Sequence, residues 1–399
     1  MTKPDIFTNE EKKRHGDNMR NSLGEVLDYC KKCNYILDYD PNIKVGRPDY
    51  KDQKQFLIPY LVKVSETESW ALYTTTSYRS DRVKGQQWDA FNVKAIIPEA
   101  KHAFLVFPDN AEERDKVGFK GLSKRIRDAV EYSAIDDILT FDELTALLEV
   151  YHLRGDNVGT IKDVQGRSFE AKVAAALSSS GNLKHWKKTD KLATTSHYDI
   201  FECVVNGLKL DSSKVSLIQA TNDQKIIGLL ATGGKPKTDV LVKVVYNDKT
   251  ENYLSISCKR SSMSSVSVHE YSADAFSAVL DPDNQSLNNL LNMFQKNPSL
   301  SGMGPKNCEA LKKELSPYID RLAMWVLGGY GGQITKSWQV ASHILLYSNE
   351  SNDISCYSIL EYYKHLLNSG IKGHFGTVFS WTYPSKKRGK AIQLKCKIL

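Results

Sequence analysis

The chain has 399 residues, of which 41% are apolar and 25% charged, with a formal net charge of +7. That is the composition of a soluble globular protein long enough for two or three domains. No apolar run approaches the ~20 residues of a membrane span, and the opening MTKPDIFTNEEKKRHGDNMR lacks the apolar core of a secretory signal. A cytoplasmic protein with no membrane partner is expected. The seven cysteines are odd in number and widely scattered, which argues against a disulfide framework. Cys30-Lys-Lys-Cys33 has metal-like spacing, but no second such pair supplies the four ligands of a structural zinc site.

In chain order, a helix is expected from Met19 to about Ile36, followed by a loop-like DPNIKVGRPDYKDQ with two prolines and a glycine. Strands are expected at FLIPYLVKV, SWALYTTTSY and HAFLVFP. SKRIRDAVEYS and TFDELTALLEVYHL have helical spacing. RGDNVGTIKDVQG (154–166) reads as a domain boundary, with a helix starting at RSFEAKVAAAL and capped by Ser168. An α/β domain over 1–153 and a second domain over 154–399 follow. In the second, DVLVKVVY and ENYLSISCK read as a hairpin joined by NDKT. SVHEYSADAFSAVL and CEALKKELSPYIDRLAMWVL have helical periodicity, the latter interrupted at Pro317. ASHILLYS, FGTVFSWTY and KAIQLKCKIL read as closing strands. The last sixteen residues carry six Lys/Arg and no acid, alternating with Ala391, Ile392 and Leu394. That pattern suits a strand with a basic face and permits a polyanionic partner.

The hairpin carries the chemistry. Pairing Tyr246 with Glu251 sets Asp239 beside Cys258, and a slip of one residue sets it opposite Ser257 or Lys259. Every register brings Asp239 and the Ser257–Lys259 segment to one end of one sheet. A carboxylate there beside an x-x-Lys strand is the PD-(D/E)XK nuclease pattern. Phosphodiester hydrolysis needs a Mg²⁺ against the phosphate, an activated water and a cation near the nucleophile. Mg²⁺ takes one or two carboxylates and fills its shell with water, phosphate or carbonyl oxygen. Asp239 is the expected metal ligand, with the Cys258 carbonyl as a second. Lys259 would orient or deprotonate the water. The second acidic position of the pattern holds Ser257 instead.

From about residue 165 to the end, the sequence resembles the MspI-type restriction endonucleases. The stretches that carry the resemblance are GGKPKTDVLVKV, CKRSSMSSVSVHEYSADAF, LKKELSPYIDRLAMW and FGTVFSWTYPSKKRGKAIQLK, in the family's order. The resemblance implies a mixed β-sheet flanked by helices and Mg²⁺-dependent cleavage of duplex DNA at a short palindrome, CCGG in the type enzyme. Asp239 and Lys259 fall on the catalytic Asp and Lys, and Ser257 falls where the family has Asn. Glu170, on the helix before the sheet, is where a carboxylate often supplements the metal site. Ser267, Glu270, Thr382, Ser385, Gln393 and Lys395 fall on base-reading positions. Their chemistry suits that role, since Glu can accept from cytosine N4 and Lys can donate to guanine O6/N7. Lys386, Lys387 and Arg388 are expected on phosphates.

The type enzyme is shorter and has no counterpart to residues 1–153. There ALYTTTSYRSDRVKGQQWDAFNVKAI resembles a HindIII-like nuclease core in which Thr74–Ser77 stand in place of acid and lysine. On that reading the domain is a degenerate nuclease fold, and Arg79, Arg82, Lys84 and Trp88 form a basic-aromatic DNA surface. An unrelated α/β domain is the alternative.

Together these readings point to a type II restriction endonuclease. It would hydrolyse duplex DNA with Mg²⁺ at a GC-rich palindrome containing or resembling CCGG and leave 5′-phosphate ends. A cognate DNA methyltransferase would be its functional partner, and it would work as a monomer or homodimer. A non-cleaving sequence-specific DNA-binding protein stays open because of Ser257, as does a structure-specific repair nuclease.

Overall fold

A computed structural model describes residues 8–46, 55–154, 158–261, 263–370, 372–385 and 387–398, as two units, Met1–Phe201 and Glu202–Leu399. The division falls later than the 153/154 boundary expected from sequence.

In the first unit, helix α1 (Asn9–Lys32) starts ten residues before Met19. Thr8 accepts from the Glu11 N–H while the Glu11 carboxylate accepts from that of Thr8, a capping box worth about 1 kcal/mol. The charged first turns hide this helix from an apolar-periodicity reading, although Met19, Leu23, Val26, Leu27 and Cys30 form a buried stripe. Strands β1 (Asp38–Val45), β2 (Phe56–Lys63), β3 (Ser69–Thr74), β4 (Ala100–Phe107) and β5 (Asp137–Thr140) form a sheet in that order. The first two pairings are antiparallel and the last two parallel. β1 occupies residues expected to be loop. It is an edge strand, where Pro41 forfeits no central ladder bond; residues 47–53 of that expected loop lie outside the described residues.

Strand alternation divides the core. Trp70 and Leu72 face a layer made by α1, α4 (Phe141–His152) and α5 (Val158–Ser178), while Ala71 and Tyr73 face α2 (Ser80–Ile96) and α3 (Glu113–Arg127). The result is a three-layer α/β/α unit. α3 ends at Arg127, with Ala129 at φ +55°, so most of SKRIRDAVEYS is its last turn and the following loop rather than a helix of its own. α5 begins well before Arg167. Ser168 is therefore interior and donates to the Gln165 carbonyl at 3.1 Å rather than capping. α6 (Ser180–Trp186) and α7 (Tyr198–Gly207) complete the segment, and the division between units falls within α7.

The second unit has two sheets. Its strands are β6 (Val215–Thr221), β7 (Val240–Tyr246), β8 (Glu251–Ser261), β9 (Ser265–Tyr271), β10 (His343–Ser348), β11 (Ile354–Ser358), β12 (Ser380–Thr382) and β13 (Ile392–Lys397). Five form a mixed sheet, β11-β10-β8-β7-β6, in which only β8 and β10 run parallel. Three form an antiparallel sheet, β12-β13-β9. Helices α8 (Gln224–Ile227), α9 (Ala273–Leu280), α10 (Gln285–Lys296), α11 (Leu300–Met303), α12 (Pro305–Leu315), α13 (Ile319–Gly328) and α14 (Ile359–Asn368) accompany them. One apolar cluster joins β9, β10, β12 and β13 to α9, α10, α12, α13 and α14.

Two expectations change here, at SVHEYSADAFSAVL and FGTVFSWTY, and one holds, at Pro317. SVHEYSADAFSAVL is half strand: β9 takes Ser267–Tyr271, and only then does Ser272 cap α9 by accepting from the Ala275 N–H at 3.3 Å. Pro317 sits in a 3₁₀ turn that separates α12 from α13, as its missing N–H requires. FGTVFSWTY becomes strand only at Ser380. Before it the chain folds on itself, with Phe375 and Gly376 at positive φ and the Gly373 N–H bonded to the Thr377 carbonyl at 3.0 Å. A Cβ on Gly373 would stand 2.3 Å from the Phe379 carbonyl oxygen, so only glycine fits this turn.

Candidate active site

Asp239 immediately precedes β7, and its N–H donates to the Ile256 carbonyl at 2.9 Å. The ladder pairs Val245 with Glu251 and Val240 with Ile256, one residue from the register that pairs Tyr246 with Glu251. The hairpin turn sets this slip: Lys249 adopts φ +68°, and Tyr246 bonds to Thr250 rather than Glu251. Continued, the register puts Asp239 opposite Ser257. One carboxylate oxygen, Oδ2, then accepts from the Ser257 hydroxyl at 3.2 Å, the Cys258 N–H at 2.8 Å and Lys259 Nζ at 3.1 Å. Lys259 Nζ also donates to the Cys258 carbonyl at 2.9 Å. The side chains of Asp239 and Lys259 remain 21% and 18% exposed, so the cluster is ordered by the sheet yet open to solvent. Asp239, Ser257, Cys258 and Lys259 are all brought together.

Two neighbours were not singled out in the sequence. Thr238 is buried and donates to the Trp338 carbonyl at 2.6 Å, anchoring the segment that presents Asp239. Lys237 donates from Nζ to the Val268 carbonyl of β9. Burial pushes its ammonium down to about 7; the positive charge of Lys259 adds to this and Asp239 opposes it. The adjacent His269 is buried among Trp325, Tyr271 and Phe276, with ring centroids at 4.0, 4.4 and 5.3 Å. Neither of its ring nitrogens has a hydrogen-bond partner among the described residues. Burial, then the charge of Lys237, holds its pKa well below the usual value. The lysine two positions before Asp239 was the only sequence signal for this pair.

The expected reading residues gather on the three-stranded sheet. Thr382 pairs with Gln393, and Gln393 with Glu270; in the next row Lys395 pairs with Ser267. Ser267 and Glu270 are exposed, while Thr382, Gln393 and Lys395 are half-buried, on the face opposite Trp381, Ile392 and Leu394. Ser385 lies exposed in the turn beyond β12. Arg388 lies over the Tyr383 ring at 5.3 Å. Lys387 is committed to a protein carboxylate: its Nζ donates to Glu270 Oε1 at 2.6 Å. Lys386 lies outside the described residues.

In the first unit, Thr74–Thr76, Arg82 and Trp88, with Lys12, Arg20 and Asp89, line a cleft of about 410 Å³ at the end of β3. Trp88 is exposed and stacks on Phe91 at 6.0 Å. Arg82 and Lys84 are exposed, whereas Arg79 is engaged by the Asp81 carboxylate at 2.7 and 3.2 Å. Glu170 stands on α5 beside the core residue Ala171 of this unit. Among the described residues no helix is long and apolar enough to cross a membrane.

The chain is similar to known type II restriction enzymes. The family model "Restriction endonuclease MspI" matches residues 152–396. The type II restriction enzyme BsuFI of Bacillus subtilis is 27% identical over 401 residues, covering 97% of this chain and 98% of the relative. The first unit is thus included in that match. The type II restriction enzyme MspI of Moraxella sp is 23% identical over 245 residues, covering 59% of this chain and 91% of the relative. Among solved structures, restriction endonuclease MspI in complex with its cognate DNA matches with a TM-score of 0.55 and 21% identity. That match covers 64% of this chain and 98% of the other.

Proposed function

We propose that this chain, which belongs to the restriction endonuclease MspI family, hydrolyses duplex DNA at a GC-rich palindrome containing or resembling CCGG. The reaction would require Mg²⁺ and leave 5′-phosphate and 3′-hydroxyl ends. The observation that carries this reading is the convergence of Asp239, Ser257 and Lys259 at an open sheet end, beside a separate face of polar side chains in register.

The donor set fits a hard divalent cation. The oxygens available are the Asp239 carboxylate, the Cys258 carbonyl and the Ser257 hydroxyl. Among the described residues no group of three or more His, Cys, Asp or Glu could hold an ion by itself. A cation here would complete its shell with water and phosphate, as Mg²⁺ does. When bound it supplies charge neutralisation on the scissile phosphate. Lys259, now held between Asp239 and the Cys258 carbonyl, orients the attacking water and takes or balances its proton. Ser257 holds Asp239 in its rotamer.

On the second sheet Glu270 accepts from cytosine N4, Lys395 donates to guanine, and Ser267, Thr382, Ser385 and Gln393 complete the reading. Lys386, Lys387 and Arg388 contact phosphates and position the duplex. Arg82 and Lys84 of the first unit, with Arg79 once released from Asp81, extend the phosphate contacts. A methyltransferase of the same specificity would protect the host.

The test is digestion of sequenced, unmethylated DNA with Mg²⁺, with EDTA in place of Mg²⁺, and with Asp239→Asn. Discrete ends sharing one site are expected only for the native protein with Mg²⁺. Uncut CCGG-rich DNA would sink the proposal, and smearing without a common end would replace it with a structure-specific nuclease.

A further inference from the structure

Ser267 and Glu270 are three residues apart. In a regular strand, residues three apart point to opposite faces. Both are nevertheless exposed here, with Val268 and His269 consecutively buried between them. The ladder shows why. Glu270 pairs with Gln393 and Ser267 with Lys395, so β9 spends three steps where β13 spends two. Val268 is the extra residue of a β-bulge, and bulges re-aim side chains in this way.

A bulge is held only if its displaced groups find partners. His269 is anchored in the ring cluster of Trp325, Tyr271 and Phe276. The Val268 carbonyl takes its hydrogen bond from Lys237, two residues before Asp239. The segment that presents the catalytic carboxylate thus grips the reading strand at its irregular point. Lysine donates whether charged or neutral, so the contact does not depend on its titration.

We propose that the bulge at Val268 is a specificity-determining device and that Lys237 is the positioning residue that couples it to the catalytic segment. This rests on the base-reading role given above to Ser267 and Glu270. Without the Lys237 donor, the bulge migrates along β9. Ser267 and Glu270 can then no longer present to one face together, and Asp239 loses its tie to the strand that senses the correct site.

The test compares native protein, Lys237→Met and Lys237→Arg on a duplex carrying the mapped site and on duplexes altered at one base pair, by single-turnover cleavage and by binding. Lys237→Met should lose about tenfold or more of its preference for the correct site, concentrated at the base pairs read by Ser267 and Glu270. Binding to unrelated DNA should be unchanged, and Lys237→Arg should restore part of the preference. Glu270→Gln should also cost less discrimination in the Lys237→Met background than in the native one, because coupled sites are not additive. Equal slowing on every duplex would mark a merely structural lysine and overturn the proposal, as would an unchanged preference. Should Lys237→Met fail to fold, Lys237→Gln carries the same expectation, being polar but one atom shorter. If the native protein cuts nothing, the proposed function fails, and the coupling is not what failed.

Discussion

On the proposed function, the two sheets of the second unit solve different problems. The β7–β8 ladder is regular, and it holds one carboxylate and one ammonium at its end within hydrogen-bond reach. The β9–β13 ladder is irregular, and it spreads several polar side chains over a face. Catalysis asks for a few groups at fixed distance, which regular pairing supplies. Reading asks for a surface whose spacing follows an external partner, and there the strand departs from its two-residue period. The difference teaches that irregularity in a sheet can carry information that its composition hides.

The largest expected effect falls on the regular ladder. Lys259→Ala should lower single-turnover cleavage by about 10²–10⁴-fold while leaving the binding preference of the reading face intact, as measured by competition between correct and altered duplexes. Loss of preference in this variant would break the separation between the two sheets. Next comes the turn that launches β12. Gly373→Ala has no room for its Cβ beside the Phe379 carbonyl and should cost about 1–3 kcal/mol, seen as a drop in melting temperature. Glu270→Gln should cost about 1–3 kcal/mol of discrimination at one base pair, with cleavage of the correct site less affected than recognition.

A smaller effect is pH-dependent. Burial depresses the pKa of His269 in the folded state, so the unfolded chain binds this proton more readily. The stability it contributes is full above the ordinary histidine pKa and is lost as pH falls below it. Melting profiles from pH 8 to ~5 should show this decline, and His269→Phe should flatten it. The smallest effect is on the exposed Lys387–Glu270 pair. Lys387→Ala should change stability by less than ~1 kcal/mol and reduce the salt dependence of DNA binding by about one unit of slope.

Asp239 and Lys259 were legible because carboxylates and ammoniums at strand ends are costly and therefore informative. Their register was not, because it turned on Lys249 adopting a left-handed conformation, which residue type alone does not announce. The proposed reading residues came only through family resemblance. Periodicity misread β9 as helix because Val268 and His269, both buried, interrupt the alternation just as a helical face would. In the first unit the apolar strands β2, β3 and β4 were plain. β1 was read as loop because Pro41, and Gly46 and Pro48 just beyond the strand, are turn formers, and only the position at the sheet edge makes Pro41 acceptable.

The Lys387–Glu270 contact has one further consequence. On the proposed reading, an acid that must meet a cytosine amino group already meets an ammonium in the free protein. DNA binding then exchanges one donor for another. As Glu270 turns to the base, the released Lys387 is delivered to a backbone phosphate a short reach away. A single exchange would convert an internal ion pair into one base contact and one phosphate contact. A wrong base would leave the lysine where it is, so the duplex would forfeit both contacts together.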